Sequence, residues 1–246
     1  MARRRFLVDR IRDNTAEVAG VGAHHLARVL RAERGQQYEI SDGTRVYLAE
    51  ITTVEEDRVV FRTLEAVDAA APAVRLTLVA ALIKFDRFEW LVEKATELGA
   101  AAIVPVNAAR SEKGLLEASR KRVERWRRIA RESSQQARRV SPPEICESQS
   151  LESALGAKVA YRYFLDEQPG APALLSALPP PSERRRIDSL ALLTGPEGGW
   201  TEMERSSAAA AGWLPVSLGP LILRAETAAI AAAATLMHVW WASQLE

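Results

Sequence analysis

The sequence predicts an α/β protein in two parts: a small β-rich unit over residues 1–70, then a parallel α/β domain over 71–246. Three observations carry this. The first seventy residues hold short alternating runs separated by Asp, Asn and Gly turns. Beyond the linker DAAAPAV, Asp68–Val74, apolar strands alternate with amphipathic helices, the rhythm of a parallel sheet covered on both faces. Late in the chain, two apolar strands in LLTGPEGGW and SLGPLILRAETAAI both stop on Gly-Pro turns.

Taken in order, RRFLV, TAEVAG, QQYEISDG, RVYLAEITTV and DRVVFRTLEAV read as strands, with Asp42-Gly43 the clearest hairpin turn. HHLARVLR between them is a brief helical turn with Leu26, Val29 and Leu30 on its apolar side. Five or six strands in so short a span predict a closed or nearly closed barrel. RLTLVAALI then starts the second part as a covered strand. FEWLVEKATELG follows as a helix burying Phe88, Leu91, Val92, Ala95 and Leu98, stopped by Gly99. AAIVPV is a strand, and Leu115–Ala137 a single long helix with Leu116, Val123, Trp126, Ala130 and Ala137 on one face. VAYRYFLDE, ALLTG and LPVSLG complete the strands, with helices over Thr201–Ala211 and Glu226–Gln244. PGAPALLSALPPPSERRR reads as a proline-rich surface excursion.

Composition excludes several classes. The apolar stretch Ala228–Trp241 contains His238 and is too short to span a bilayer, so it reads as a buried helix and no membrane is implied. MARRRFLVDR lacks the apolar run of a secretory signal, which predicts a cytoplasmic protein. The lone Cys146 precludes an intramolecular disulfide, and three histidines with one cysteine predict no metal centre. Net charge is only +1, but residues 110–139 hold eleven Arg or Lys against four Glu. The first twelve hold five Arg against one Asp. Basic clusters this wide suit a phosphate backbone better than a small phosphorylated molecule, so nucleic acid is the expected partner.

In an open parallel sheet, ligands bind beyond the carboxyl ends of strands, where both Gly-Pro turns fall. GPEGG has no following Lys-Ser/Thr and is no P-loop, and the chain has no GxGxxG. An uncharged slot lined by backbone suits a flat heterocycle read by N–H and C=O groups.

TGPEGGWTEME, LGPLILRAETA and EWLVEKATELGAAAIVPVNAARS together resemble the ribosomal RNA uracil-N3 methyltransferases called RsmE, in the SPOUT superfamily. RRFLV, HHLARVLRAERG…SDG and ESSQQARRVSPPEI extend the resemblance along the whole chain. It implies a SPOUT-type α/β domain with a deep C-terminal trefoil knot, preceded by a small PUA-like β-barrel domain that binds RNA. It also implies a homodimer, S-adenosylmethionine as cofactor, and 16S rRNA of the small ribosomal subunit as partner. Leu193, Thr194, Gly195 and Gly199 on one loop, and Leu218, Gly219, Leu223 and Arg224 on the other, would wrap the cofactor. The family pattern LGxRILRTETA departs here at Leu221 and Ala225, which stand for its first arginine and first threonine.

Methylating uracil N3 requires removing a proton from a weak acid while charge grows on the ring carbonyls. Arg224 and Arg139 are the candidate cations, Glu197 and Glu226 the candidate proton acceptors. Their ordinary alternatives are a solvated basic charge for Arg139, a helix-starting acid for Glu226 and a loop-shaping residue for Glu197. RNA contacts are expected from Arg3, Arg4 and Arg5, from His25 and Arg31, and from Lys84, Arg87, Arg110, Arg138 and Arg139. The alanine-rich last helix with Trp240 and Trp241 is the expected dimer surface. Two other readings stay open: a SPOUT methyltransferase acting at another RNA position, and an inactive RNA-binding or ribosome-assembly protein.

Overall fold

The computed structural model describes residues 4–69 and 71–245; the expectation for Arg3 lies outside them. The chain forms two compact units. The first takes the described residues up to Ala71 together with Arg131–Pro142; the second takes Pro72–Ala130 and the rest of the chain from Pro143.

The first unit is a curled mixed sheet. Its strands are β1 (Arg5–Leu7), β2 (Ile11–Arg12), β3 (Thr15–Ala19), β4 (Gln37–Ser41), β5 (Val46–Val54) and β6 (Arg58–Val67). They pair in the order β1-β4-β5-β6-β3-β2, antiparallel except for the parallel pair β1–β4. Inward residues Phe6, Ile40, Ile51, Val59 and Phe61 build its core. At the Asp42-Gly43 turn, Asp42 Oδ1 accepts from the Thr44 and Arg45 amides, both at 2.9 Å, and Gly43 takes a φ of +91°. The helical turn differs from expectation. α1 (Val21–His24) widens into a π turn over His25–Val29. The extra residue per turn moves the apolar phase, so Leu26 is buried while Val29 is 64% exposed.

Segment Arg131–Pro142 lies along β1 and β4. Gln135 Oε1 accepts from the Leu7 amide at 3.1 Å, Arg131 donates to the Leu7 carbonyl at 2.6 Å, and Ser41 donates to the Val140 carbonyl at 2.6 Å. Side chains thus satisfy an edge strand that no further strand pairs among the described residues. Arg5 is buried, with Nη2 2.8 Å from Glu39 Oε2, and Arg138 bonds the other oxygen of Glu39.

The second unit is a parallel sheet ordered β10-β8-β7-β12-β11-β13. Its strands are β7 (Arg75–Ala81), β8 (Ala102–Asn107), β10 (Gln149–Ser150), β11 (Tyr161–Leu165), β12 (Ser189–Thr194) and β13 (Leu214–Val216), with β9 (Glu144–Ile145) beside β8. Alternation along β7 and β12 divides the core. Leu76, Leu78, Leu190 and Leu192 face one side, with Phe88, Leu91 and Val92 of α2 (Phe85–Glu97) and Ala229, Ala232 and Leu236 of α7 (Ala225–Ala242). Val79, Ala191 and Leu193 face the other, with α5 (Leu151–Leu155) and α6 (Glu202–Ala210). Both faces are covered, as near-continuous apolar strands require.

Three expectations are corrected here. The helix expected over Leu115–Ala137 is two: α3 (Leu115–Ser119) and α4 (Val123–Gln136). Ser119 Oγ donates to the Leu116 carbonyl at 2.6 Å, a local bond that competes with helix continuation. Trp240 is not a contact-surface residue: it is fully buried and donates to Asp188 at 2.9 Å, whereas Trp241 is 50% exposed. The proline-rich stretch is more than a surface excursion, because Leu174 is buried in the sheet's core.

Candidate functional site

Strands β12, β11 and β13 are sheet neighbours, and their carboxyl ends open into one cavity of about 870 Å3. Its walls are three loops: Leu165–Ala173, Thr194–Gly199 and Val216–Ala225. The Asp166 amide bonds the Val216 carbonyl at 3.0 Å, and Ser217 and Ala173 form an isolated parallel bridge. The loops after β11 and β13 are therefore laced together, and the loop after β12 packs against the former at Gly199 and Glu167.

Thr194, Gly195, Gly199, Leu218, Gly219, Leu223 and Arg224 all line this cavity. Leu193 does not present its side chain there. Strand alternation turns it into the second core among Phe164 and Trp200, so its cofactor-binding expectation is corrected to backbone at most. The glycines have separate reasons. A Cβ on Gly195 would come within 3.0 Å of the Trp200 indole, whose Nε1 is fixed on the Leu165 carbonyl at 2.8 Å. Gly199 has a φ of +68° and Gly219 one of +129°, backbone that side chains disfavour.

The first loop was not foreseen in the sequence. Asp166 and Glu167 line the cavity and are both held by Arg205, at 3.0 and 2.7 Å. The signal was present as two acids at a strand's carboxyl end, in FLDE.

Carboxylates meet at the other side of the cavity. Arg87, in the first turn of α2, donates to Glu197 Oε1, and its Nε lies 4.0 Å from Glu226 Oε1. Glu226 is 6% exposed, and its Oε2 is buried without a hydrogen-bond partner among the described residues. Arg224, exposed, sits at the N-cap of α7 without capping it. Arg87 thus links Glu197 of one glycine loop to Glu226 at the start of α7, and Arg224 lines the same cavity as Arg87 and Glu197. Arg87, expected as an RNA contact, is engaged by carboxylates here.

A smaller hollow of about 160 Å3 adjoins the same wall, sharing Pro196, Glu197 and Gly198 with the cavity. Lys84, at the N-cap of α2, and Arg110 line it, and Arg110 Nη1 donates to the Gly198 carbonyl at 3.1 Å.

The remaining basic residues lie in the first unit. Arg4, His25 and Arg31 are exposed, and Arg31 has a φ of +51°. Arg5 is 5% exposed in its pair with Glu39, which corrects its assignment as a phosphate contact. Arg138 is engaged by the same carboxylate. Arg139 is half-buried with its Nε on the Ser141 carbonyl at 3.1 Å, and burial pushes its guanidinium down to about 10. In the second unit, much of the basic run is already neutralised: Arg125 and Arg122 reach Glu89 at 2.6 and 3.5 Å. Among the described residues, no three His, Cys, Asp or Glu cluster as metal ligands, and no helix is long and apolar enough to cross a membrane.

S-adenosylmethionine carries a cationic sulfonium, an adenine ring and an amino-acid group. The cavity has the volume of a small-molecule site, backbone at three strand ends, and the carboxylates of Asp166, Glu167 and Glu197 in its lining to oppose a cation. The residues present fit that group.

Residues 70–237 match the model of a family described as RNA methyltransferase domain. The ribosomal RNA small subunit methyltransferase E of Bacillus subtilis is 31% identical over 91% of this chain and 90% of its own length. The protein of the same name from Mycobacterium tuberculosis is 31% identical over 97% of this chain and 94% of its own. A crystal structure of ribosomal RNA small subunit methyltransferase E from Neisseria gonorrhoeae, bound to S-adenosyl methionine, superposes with a TM-score of 0.86 at 27% identity, covering 97% of this chain and 98% of that one. With its cavity at the strand ends, and with relatives matched over nearly their whole length, this chain belongs to the ribosomal RNA small subunit methyltransferase E family.

Proposed function

We propose that this protein transfers a methyl group from S-adenosylmethionine to N3 of a uridine in the 16S rRNA of the small ribosomal subunit. The observation that carries this reading is the cavity at three adjacent strand ends, with Arg87, Glu197 and Glu226 joined at its edge, in a chain of this family.

The cofactor, when bound, supplies an electrophilic methyl on a sulfonium sulfur. The chain does the rest. Backbone of the Thr194–Gly199 and Val216–Arg224 loops holds the donor and excludes water from it. Arg224, exposed on the rim, stabilises negative charge growing on the uracil carbonyls. Glu197 or Glu226 accepts the N3 proton, and Arg87 fixes both carboxylates. Leu221 is exposed on the loop and provides no cation at its place, so the duty falls to Arg224.

The same reading makes the second unit a SPOUT domain with a trefoil knot, in which the Ser217–Arg224 strap passes beside the loop after β11. Its support is the family and the Ala173–Ser217 bridge. The first unit is then a PUA-like domain that binds RNA through Arg4, His25 and Arg31, and the protein works as a cytoplasmic homodimer whose contact includes Trp241. Incubation with small ribosomal subunits lacking the modification, followed by nucleoside analysis, tests the reaction. N3-methyluridine is the expected product. Any other methylated nucleoside, or none, overturns it.

A further inference from the structure

We infer that the 160 Å3 hollow is the seat of the acceptor base, and that it selects uracil through Lys84, Arg110 and Glu197. This rests on the reading above and adds where the acceptor binds.

Size is the first reason. The hollow is far smaller than the neighbouring cavity, too small for a nucleoside with its phosphates and suited to one planar ring. Leu82 and Ile83 give it an apolar side. Charge is the second. The lining carries two cations, Lys84 and Arg110, and two carboxylates, Glu112 and Glu197. That balance suits a neutral polar ring; a phosphate would need an excess of positive charge. Hydrogen-bond pattern is the third. Uracil presents acceptor, donor, acceptor along O2, N3–H and O4, and needs donor, acceptor, donor in return. Lys84, Arg110 and Glu197 in one lining supply those groups, and Arg224 in the wall of the adjoining cavity adds its charge as the ring becomes anionic. Cytosine presents a lone pair at N3 and a donor at N4, so the same groups repel it.

Position is the fourth reason. Glu197 is the one charged side chain lining both hollows among the described residues. Arg87 occupies its Oε1 and leaves Oε2 as an acceptor. Methyl transfer then balances at this wall: the N3–carbon bond forms, the carbon–sulfur bond breaks with its electron pair going to sulfur, and the N3 proton passes to Glu197. Arg87 is a positioning residue in this scheme, since it acts through Glu197.

The test uses small ribosomal subunits reconstituted with 4-thiouridine at the methylated position, photo-cross-linked to the full-length protein. Cross-links to Leu82–Lys84 or Arg110–Glu112 are expected. Cross-links elsewhere, in a preparation that still makes N3-methyluridine, overturn the placement and leave the proposed function standing. A wild-type protein that makes no N3-methyluridine overturns the function itself. For Glu197→Gln, kcat should fall by about 10²–10³-fold, with S-adenosylmethionine affinity unchanged by calorimetry. An unaltered kcat in that variant overturns the role of Glu197. Lys84→Met with Arg110→Met should cut kcat/KM at least tenfold and erode discrimination between uridine and cytidine at the target. Retained discrimination overturns the base-reading role.

Discussion

Gly199 lies so close to Glu167 that a Cβ in place of its hydrogen would come within 2.5 Å of Oε1. Glu167 would have to turn aside, giving up the bond in which Arg205 holds that oxygen at 2.7 Å. The glycine is fixed both by its neighbour and by its φ of +68°. Gly199→Val should therefore displace the loop and weaken S-adenosylmethionine binding by at least a hundredfold. Circular dichroism should show the fold retained, since the loop is outside the core. Calorimetry giving wild-type affinity contradicts this account of the loop.

Glu39 carries the charge of Arg5 in a buried setting. Removing it as Glu39→Ala strands a buried guanidinium and should cost about 3–5 kcal/mol in urea unfolding. Adding Arg5→Met should recover most of that loss, because the orphaned charge is then gone as well. A double variant as unstable as the single one refutes the coupling.

Salt dependence separates the two neighbouring arginines. Arg4 is exposed and Arg5 is not. Arg4→Gln should weaken RNA binding and lower the slope of log K against log salt by somewhat under one unit. Arg5→Gln should instead lower the melting temperature. Arg224→Ala should reduce methyl transfer far more than RNA binding, and the reverse order would remove it from the reaction.

The hydroxyl of Tyr163 is buried with no hydrogen-bond partner among the described residues, and burial pushes its phenol up to about 12. An ordinary tyrosine in the unfolded chain ionises near 10, so the folded state keeps its proton longer. This contribution to stability is whole below about pH 10 and lost as pH rises towards about 12. Tyr163→Phe should flatten that alkaline loss, and at neutral pH it should be neutral or stabilising. Urea titrations at pH 8 and pH 11 read both effects.

What the sequence disclosed follows from how local each cause is. The face of α2 was legible because Phe88, Leu91, Val92 and Ala95 repeat at helical spacing and Gly99 ends the helix with a φ of +97°. The two Gly-Pro loops were legible because strand ends are marked by composition. The gap between α3 and α4 was not, since it depends on Ser119 turning back to the Leu116 carbonyl. The wall formed by Asp166 and Glu167 was missed because its meaning comes from Arg205 and the Val216 backbone, residues about 40 to 50 positions later. Which core receives Leu193 was legible too: Leu190, Ala191, Leu192 and Leu193 alternate along the strand, which turns its side chain away from that of Leu192.

The borrowing of Arg131–Pro142 by the first unit has a consequence for biosynthesis. When a nascent chain has emerged only as far as Ala71, every strand of the first sheet is out, yet Gln135 and Arg131 are still to be translated. Leu7 then has only water for its outward amide and carbonyl, and β1 is an open template for pairing with another chain. Glu39 likewise waits for Arg138. This unit cannot mature in the order in which domains usually leave the ribosome, first in and first folded. Its completion waits until about a third of the second unit has been made, and the interval is when an exposed strand edge is most open to aggregation.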